Sequence, residues 1–237
     1  MTYAAAGASQ TGNRYDADYD VYAVEQTADG WPLLVVADGM GSGRGSAFAG
    51  RTGVDTFVER TRDVRPDADV LRAAVGEAQR RVGEGGRGWP DLTGCTLTAL
   101  VGDAHQAWIA HLGDSRVYRW RGGLLEQLTS DHTEAWLGAV NGWWSHNSPQ
   151  AHTARYHLLR YLGHPDAPEP DVLNVNLRPG DVLLLCTDGI AEEVPYRRLA
   201  EVLGSAAAPA EMAASLLADA LAVGGNDNAT AVVLRVL

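Results

Sequence analysis

The chain has 237 residues, 46% hydrophobic and 21% charged, enough for one large domain or two small ones with a substantial core. Its formal net charge is −11 and its pI near 5.0; all 19 basic residues are arginines, with no basic stripe or run, which argues against a nucleic-acid binder. No apolar run approaches the length of a membrane span.

The opening run MTYAAAGASQTGNRYD lacks a basic start followed by an apolar stretch, so no secretory signal is expected and the chain is placed in the cytoplasm. It reads as a polar approach to two strands, 20–26 and 32–37, joined at Asp29-Gly30. The Gly-rich stretch 39–46 leads into a helix through about residue 61, and a second helix follows at about 67–82 with Val70, Leu71, Val75 and Ala78 on one face. After the loop 83–91 come strands near 95–101, 106–112 and 115–120, the last turning at Gly122-Gly123 into a partner strand, LLEQL. A helix is expected at about 152–161, strands at 171–177 and 181–187, helices near 196–203 and 209–222, and a final strand, ATAVVLRV. Strands, helices, strands, helices, strand is not the alternation of a parallel α/β fold. It suits helices packed on antiparallel sheets, α+β, in a single domain over 1–237.

Cys95 and Cys186 lie in apolar runs and read as buried reduced thiols. Asn228-Ala229-Thr230 matches a glycosylation sequon, which means nothing without secretion.

Two greasy runs, LLVVADG at 33–39 and LLLCTDG at 183–189, end the same way, in a small residue, Asp and Gly. Each delivers a carboxylate, Asp38 or Asp188, to the end of a buried strand, where ionisation is costly unless the group is paired or metal-bound. Asp20, Asp114 and Asp227 stand at other strand ends. If these ends share one rim, like charges at that density need compensation, and Mg²⁺ or Mn²⁺ supplies it with a preference for oxygen ligands. No His/Cys cluster has zinc spacing. Two such ions can activate a water and clamp a phosphoryl group. The same residues read equally well as five solvated turn carboxylates.

Six motifs carry a resemblance. VADGMGSG, GCTLTAL, HLGDSRVYRWRGG, LTSDHT, LLLCTDGI and GGNDNATAVVL, in this order, resemble the motifs of the metal-dependent type 2C protein serine/threonine phosphatases of bacterial type. The resemblance runs from about Gly12 to Leu234. It implies a four-layer αββα sandwich, two central antiparallel β-sheets flanked by helices, with a binuclear site at the sandwich edge. By motif match Asp38 bridges two ions, the Gly39 carbonyl binds one, Asp188 and Asp227 hold the other, and Asp114 helps hold a third, weaker ion. Asp20 acts through water, and Arg14 grips the substrate phosphate, with Arg44 the next candidate. Tyr19 stands where the family often has Glu, Ser42 replaces a glycine, and Met40 stands where many eukaryotic members have His, which leaves leaving-group protonation to water.

The segment 134–152, with Trp136, Trp143 and Trp144 among Gly, Asn and Pro, falls where bacterial members carry a mobile flap. Trp143 and Trp144 are candidate contacts to a protein substrate. The alternative for this stretch is a packed loop. The resemblance implies a monomeric phosphoserine/phosphothreonine phosphatase opposing a serine/threonine kinase, using two or three Mn²⁺ or Mg²⁺ ions. The alternatives are a non-catalytic phosphoprotein-binding module of the same fold and a hydrolase of small phosphoesters.

Overall fold

Strand β3, Pro32–Ala37, is buried at every position, and its side chains alternate between two cores, as the two-residue period of a strand requires. Leu33, Val35 and Ala37 pack with helical residues such as Phe57, Leu71 and Val75. Leu34 and Val36 pack instead with Leu183, Leu185, Val232 and Leu234 of the other sheet. Strand β9, Val182–Cys186, mirrors this from the opposite side, sending Leu184 and Cys186 toward Met212 and Leu216.

The computed structural model describes residues 2–103, 105–145 and 147–237. Among them, one antiparallel sheet has the order β1-β10-β9-β6-β7 and the other β2-β3-β4-β5-β8. Their strands are β1 Tyr3–Gln10, β2 Val21–Gln26, β3, β4 Leu97–Gly102, β5 Gln106–Leu112, β6 Arg116–Arg121, β7 Leu124–Gln127, β8 Asp171–Asn176, β9 and β10 Ala229–Val236. Helices α1 Arg44–Thr61 and α2 Ala68–Gly85 cover the second sheet; α6 Tyr196–Leu203 and α7 Pro209–Ala222 cover the first. Short helices α3 Glu134–Val140, α4 Pro149–Ala154 and α5 Asp188–Ala191 lie between. Three apolar layers therefore separate four layers of structure, the αββα sandwich. No helix among the described residues is long and apolar enough to cross a membrane.

Three elements differ from the sequence expectation. The N-terminal run is not a polar approach but strand β1, paired antiparallel with β10 from Tyr3↔Val236 to Gln10↔Ala229. Its small side chains allow close packing, and a Cβ on Gly7 would lie 2.6 Å from the Tyr22 ring. The helix expected at 152–161 ends as α4 at Ala154, because the following chain pairs across the molecule: Leu159 N–H donates to His132 O at 2.8 Å and Leu162 bridges to Cys95. The Asp188-Gly189 step is not a plain turn but the first turn of α5.

Candidate active site

Asp38 leaves the end of β3, Asp188 the end of β9, and Asp227 precedes β10. Asp114 sits on the turn between β5 and β6, where the chain crosses from one sheet to the other. All four line one cleft of about 540 Å³, together with Gly39, Asp131, Glu192 and Glu193. Asp20, just before β2, lies underneath and is 8% exposed.

Hydroxyls beneath the cleft fix these strand ends. Asp38 N–H donates to Thr96 Oγ1 at 2.9 Å, and Thr96 Oγ1 lies 2.7 Å from Ser115 Oγ. Thr187 Oγ1 donates to Asp20 Oδ2 at 2.7 Å and accepts from Thr230 N–H at 3.0 Å, tying the two sheets together. Asn228 Oδ1 accepts from Tyr19 N–H at 2.9 Å and its Nδ2 donates to Ala17 O at 3.2 Å. This amide is buried and used twice. Gly39 is packed so closely that a Cβ would lie 2.8 Å from Tyr19 O.

The electrostatics are those of a crowded anionic site. Burial raises Asp38 well above the ordinary carboxylate range, and the neighbouring Asp188, Asp20, Asp114 and Asp227 raise it further. Burial and then Asp188 raise Asp114. Burial also raises Asp188 and Asp20. Asp227 is pushed up to about 6, by burial first and Asp188 second. Asp20 Oδ1 and Asp188 Oδ1 are buried with no hydrogen-bond partner. Orphaned buried carboxylate oxygens are rare, and here a hard divalent cation is the group that answers them. Among the described residues no three Asp, Glu, His or Cys side chains form a ready-made cation cage. Mg²⁺-like ions keep several waters, so the donor set fits a centre whose coordination is completed by water.

Arg14 lines the cleft, is exposed, and has no hydrogen-bond or ion-pair partner among the described residues. Its guanidinium is free to fork onto a phosphate. Arg44 instead stacks over the Trp89 ring, 5.3 Å from its centroid, and is not among the cleft residues. A charged chain runs along the opposite wall: Arg155 pairs with Glu192, Glu192 with Arg116 at 2.6 Å, and Arg116 with Asp131 at 2.7 Å.

The 134–152 segment folds as α3 and α4 around a turn; its His146 lies outside the described residues. Trp143 is 58% exposed. Trp144 packs so tightly on Gly138 that a Cβ there would sit 2.2 Å from the indole. Neither tryptophan lines the cleft; the residues that do so just after the segment are Arg155, Tyr156 and Leu158. Sequence reasoning missed these three, and also Glu192. The spacing of Glu192, one helical turn after Asp188, is the signal that could have found it.

A protein phosphatase 2C family model matches residues 15–222. The serine/threonine phosphatase stp of Listeria monocytogenes is 32% identical over 220 residues, covering 90% of this chain and 87% of the relative. The serine/threonine protein phosphatase PstP of Mycobacterium tuberculosis is 34% identical over 211 residues, 86% of this chain and 40% of the relative. A crystal structure of the latter superposes with a TM-score of 0.86 at 30% identity, covering 100% of this chain and 99% of that one. The PstP catalytic domain in complex with two manganese ions gives a TM-score of 0.85 at 30% identity, covering 98% and 97%.

Proposed function

Because the chain belongs to the protein phosphatase 2C family and is a metal-dependent serine/threonine phosphatase, we propose that it hydrolyses phosphoserine and phosphothreonine in proteins at a binuclear centre built on Asp38, Asp188 and Asp227. The observation that carries this assignment of residues is the convergence of these carboxylates with Asp114 in one cleft, all four raised by burial and Asp38, Asp114 and Asp227 raised further by neighbouring carboxylates. Two Mn²⁺ or Mg²⁺ ions, when bound there, neutralise that charge, polarise the phosphoryl oxygens and lower the pKa of an attacking water.

Asp38, the Gly39 carbonyl, Asp188 and Asp227 would hold the two ions. Asp114 contributes to a third, weaker position. Asp20 orders water below the centre. Its Oδ1 is buried with no hydrogen-bond partner among the described residues, and a water there would supply one. Arg14 holds the phosphate by its guanidinium fork. Among the described residues no histidine lines the cleft, and Met40, a cleft residue, has no proton to give, so the leaving alkoxide takes its proton from water.

Residues 1–237 act as one catalytic domain, monomeric in solution and cytoplasmic, opposing a serine/threonine kinase and independent of nucleic acid and membranes. The 134–152 segment is a flap that meets the protein substrate beside the cleft, with Trp143 and Trp144 as its aromatic body. The deciding assay is phosphate release from phosphothreonine peptides with Mn²⁺, with Mg²⁺, and with chelator. Metal-dependent release that disappears in Asp38→Asn supports the assignment; chelator-resistant release removes it.

A further inference from the structure

Asp114 follows a glycine whose backbone no other residue would readily adopt. The residue before it, Gly113, has φ +114, and a Cβ there would lie 2.5 Å from Thr96 Cγ2. A turn of that shape must be held from outside, and one residue holds it on both sides. His132 N–H donates to Gly113 O at 2.8 Å, and Gly113 N–H donates to His132 Nδ1 at 3.1 Å. The ring is 8% exposed and tilts against His111, centroids 4.6 Å apart.

The second bond selects one tautomer. Nδ1 accepts, so the neutral ring carries its proton on Nε2. Nε2 lies 3.1 Å from Asp171 Oδ2 at the start of β8, and donates there. Arg160 Nη1 donates to the other oxygen of the same carboxylate at 2.9 Å. Arg160 Nη1 also lies 2.8 Å from Nε2 and competes for it as an acceptor, but the Gly113 and Asp171 contacts both call for the proton on Nε2. The His132 carbonyl accepts from Leu159 N–H at 2.8 Å, next to the cleft wall formed by Leu158.

We propose that His132 is a positioning residue for catalysis: held in its Nε2–H tautomer by Asp171, it fixes the Gly113 peptide and so aims Asp114 at the weakly held cation. The proposal rests on the reading of Asp114 as a cation ligand. It does not require His132 to touch substrate or ion. The acceptor at the Nδ1 position holds the turn, and the carboxylate at 171 orients the imidazole that carries it. Partners one step removed from a ligand commonly tune affinity in this way.

The test compares wild type with His132→Leu, His132→Asn, Asp171→Leu and Asp114→Ala. Asn places an amide oxygen where Nδ1 stood, so it keeps the Gly113 bond and drops the link to Asp171. Mn²⁺ binding is followed by calorimetry on the protein without substrate, turnover of an aryl phosphate by Mn²⁺ titration, and folding by thermal denaturation in chelator. Loss of such a partner is expected to raise the Mn²⁺ concentration for half-maximal turnover about tenfold in His132→Leu, with the weak calorimetric phase shifting in step. His132→Asn should recover most of that loss. Asp171, whose side chain is 47% exposed, can be changed without threatening the core, so Asp171→Leu keeps the test alive if His132→Leu does not fold; it should shift the same phase.

If His132→Leu or Asp171→Leu lowers the melting temperature but leaves the weak Mn²⁺ phase and the titration midpoint at wild-type values, His132 is only a fold residue and the proposal falls. If Asp114→Ala itself leaves both readouts unmoved, the cation reading of Asp114 falls and takes the proposal with it. Movement in Asp114→Ala without movement in the His132 and Asp171 variants overturns the positioning role alone.

Discussion

Replacing Asp227 by Asn is expected to make the metal-free protein more stable and, in the same step, to remove much of its response to divalent cations. Asp227 is raised from an ordinary 3.8 to about 6, by burial first and by Asp188 second. Between those two values the folded protein keeps a proton that the unfolded chain has lost, so stability falls as pH rises through this window and the penalty is complete above about 6. Each pKa unit corresponds to about 1.4 kcal/mol. The shift would thus amount to about 3 kcal/mol for an enclosed group; part of this carboxyl faces the cleft, and solvent screening reduces it to about 1–2 kcal/mol. In a chain of this size that is a rise in melting temperature of about 2–8 °C. Asn retains an Oδ1 that can accept the 2.8 Å bond from Asn228 N–H, so the local turn is kept.

Cations reverse the order. An ion that binds only the folded state stabilises it by about 2.7 kcal/mol at a hundred times its dissociation constant, and wild type gains this in full while the Asn variant gains less. Thermal denaturation of both proteins in chelator and in excess Mn²⁺, repeated between about pH 4 and 7, reads the whole cycle. In chelator the advantage of the variant should narrow as pH falls below about 6 and vanish near 4. A wild type that is the more stable protein in chelator at neutral pH would refute the reasoning, because it would mean that the neighbours of Asp227 favour its charge.

Three further outcomes are expected. Asp188→Asn should cut kcat by orders of magnitude while circular dichroism remains native; near-normal turnover in excess Mn²⁺ would remove Asp188 from the centre. Arg14→Ala should raise KM for a phosphopeptide more than it lowers kcat, since its grip is made equally in ground and transition states; an unmoved KM would pass the role to a different residue. Gly138→Ala forces the Trp144 indole out of its seat, at a cost of about 1–3 kcal/mol within the 134–152 segment. Phosphopeptide turnover should drop with an aryl phosphate spared, as also for Trp143→Ala combined with Trp144→Ala; equal losses on both substrates would show that the segment supports the cleft instead.

The sequence made some of this legible and hid the rest for identifiable reasons. Runs such as LLVV and LLLC are buried on both faces, and their apolar continuity survives any tertiary context. Strand β1 has no such signal. Alanine and glycine carry little β preference, and only the register with β10 makes Tyr3–Gln10 extended. The stretch HTARYHLLRYL has helix-compatible periodicity, but from Arg155 onward its backbone is claimed by partners near 132 and 95. At the site, the aspartates stood out because each follows or precedes a hydrophobic strand. Thr96, Thr187 and Asn228 did not, since their value lies in which strand end they meet across the sandwich. Arg155 and Tyr156 reach the cleft only because α4 stops early.

The pairing of β1 with β10 also sets an order of events during synthesis. Residues 3–10 are made before their partner, residues 229–236, which emerges more than two hundred residues later. At about 5–20 residues per second the first strand waits on the order of ten seconds or more. The second sheet can assemble from β2, β3, β4 and β5 well before then, as consecutive neighbours. Asp38 and Asp114 are therefore presented on a nascent half-sandwich while Asp227 is still unmade. On the proposed assignment the centre is complete only once the last strand has been delivered, so the topology withholds the phosphatase from its own translation.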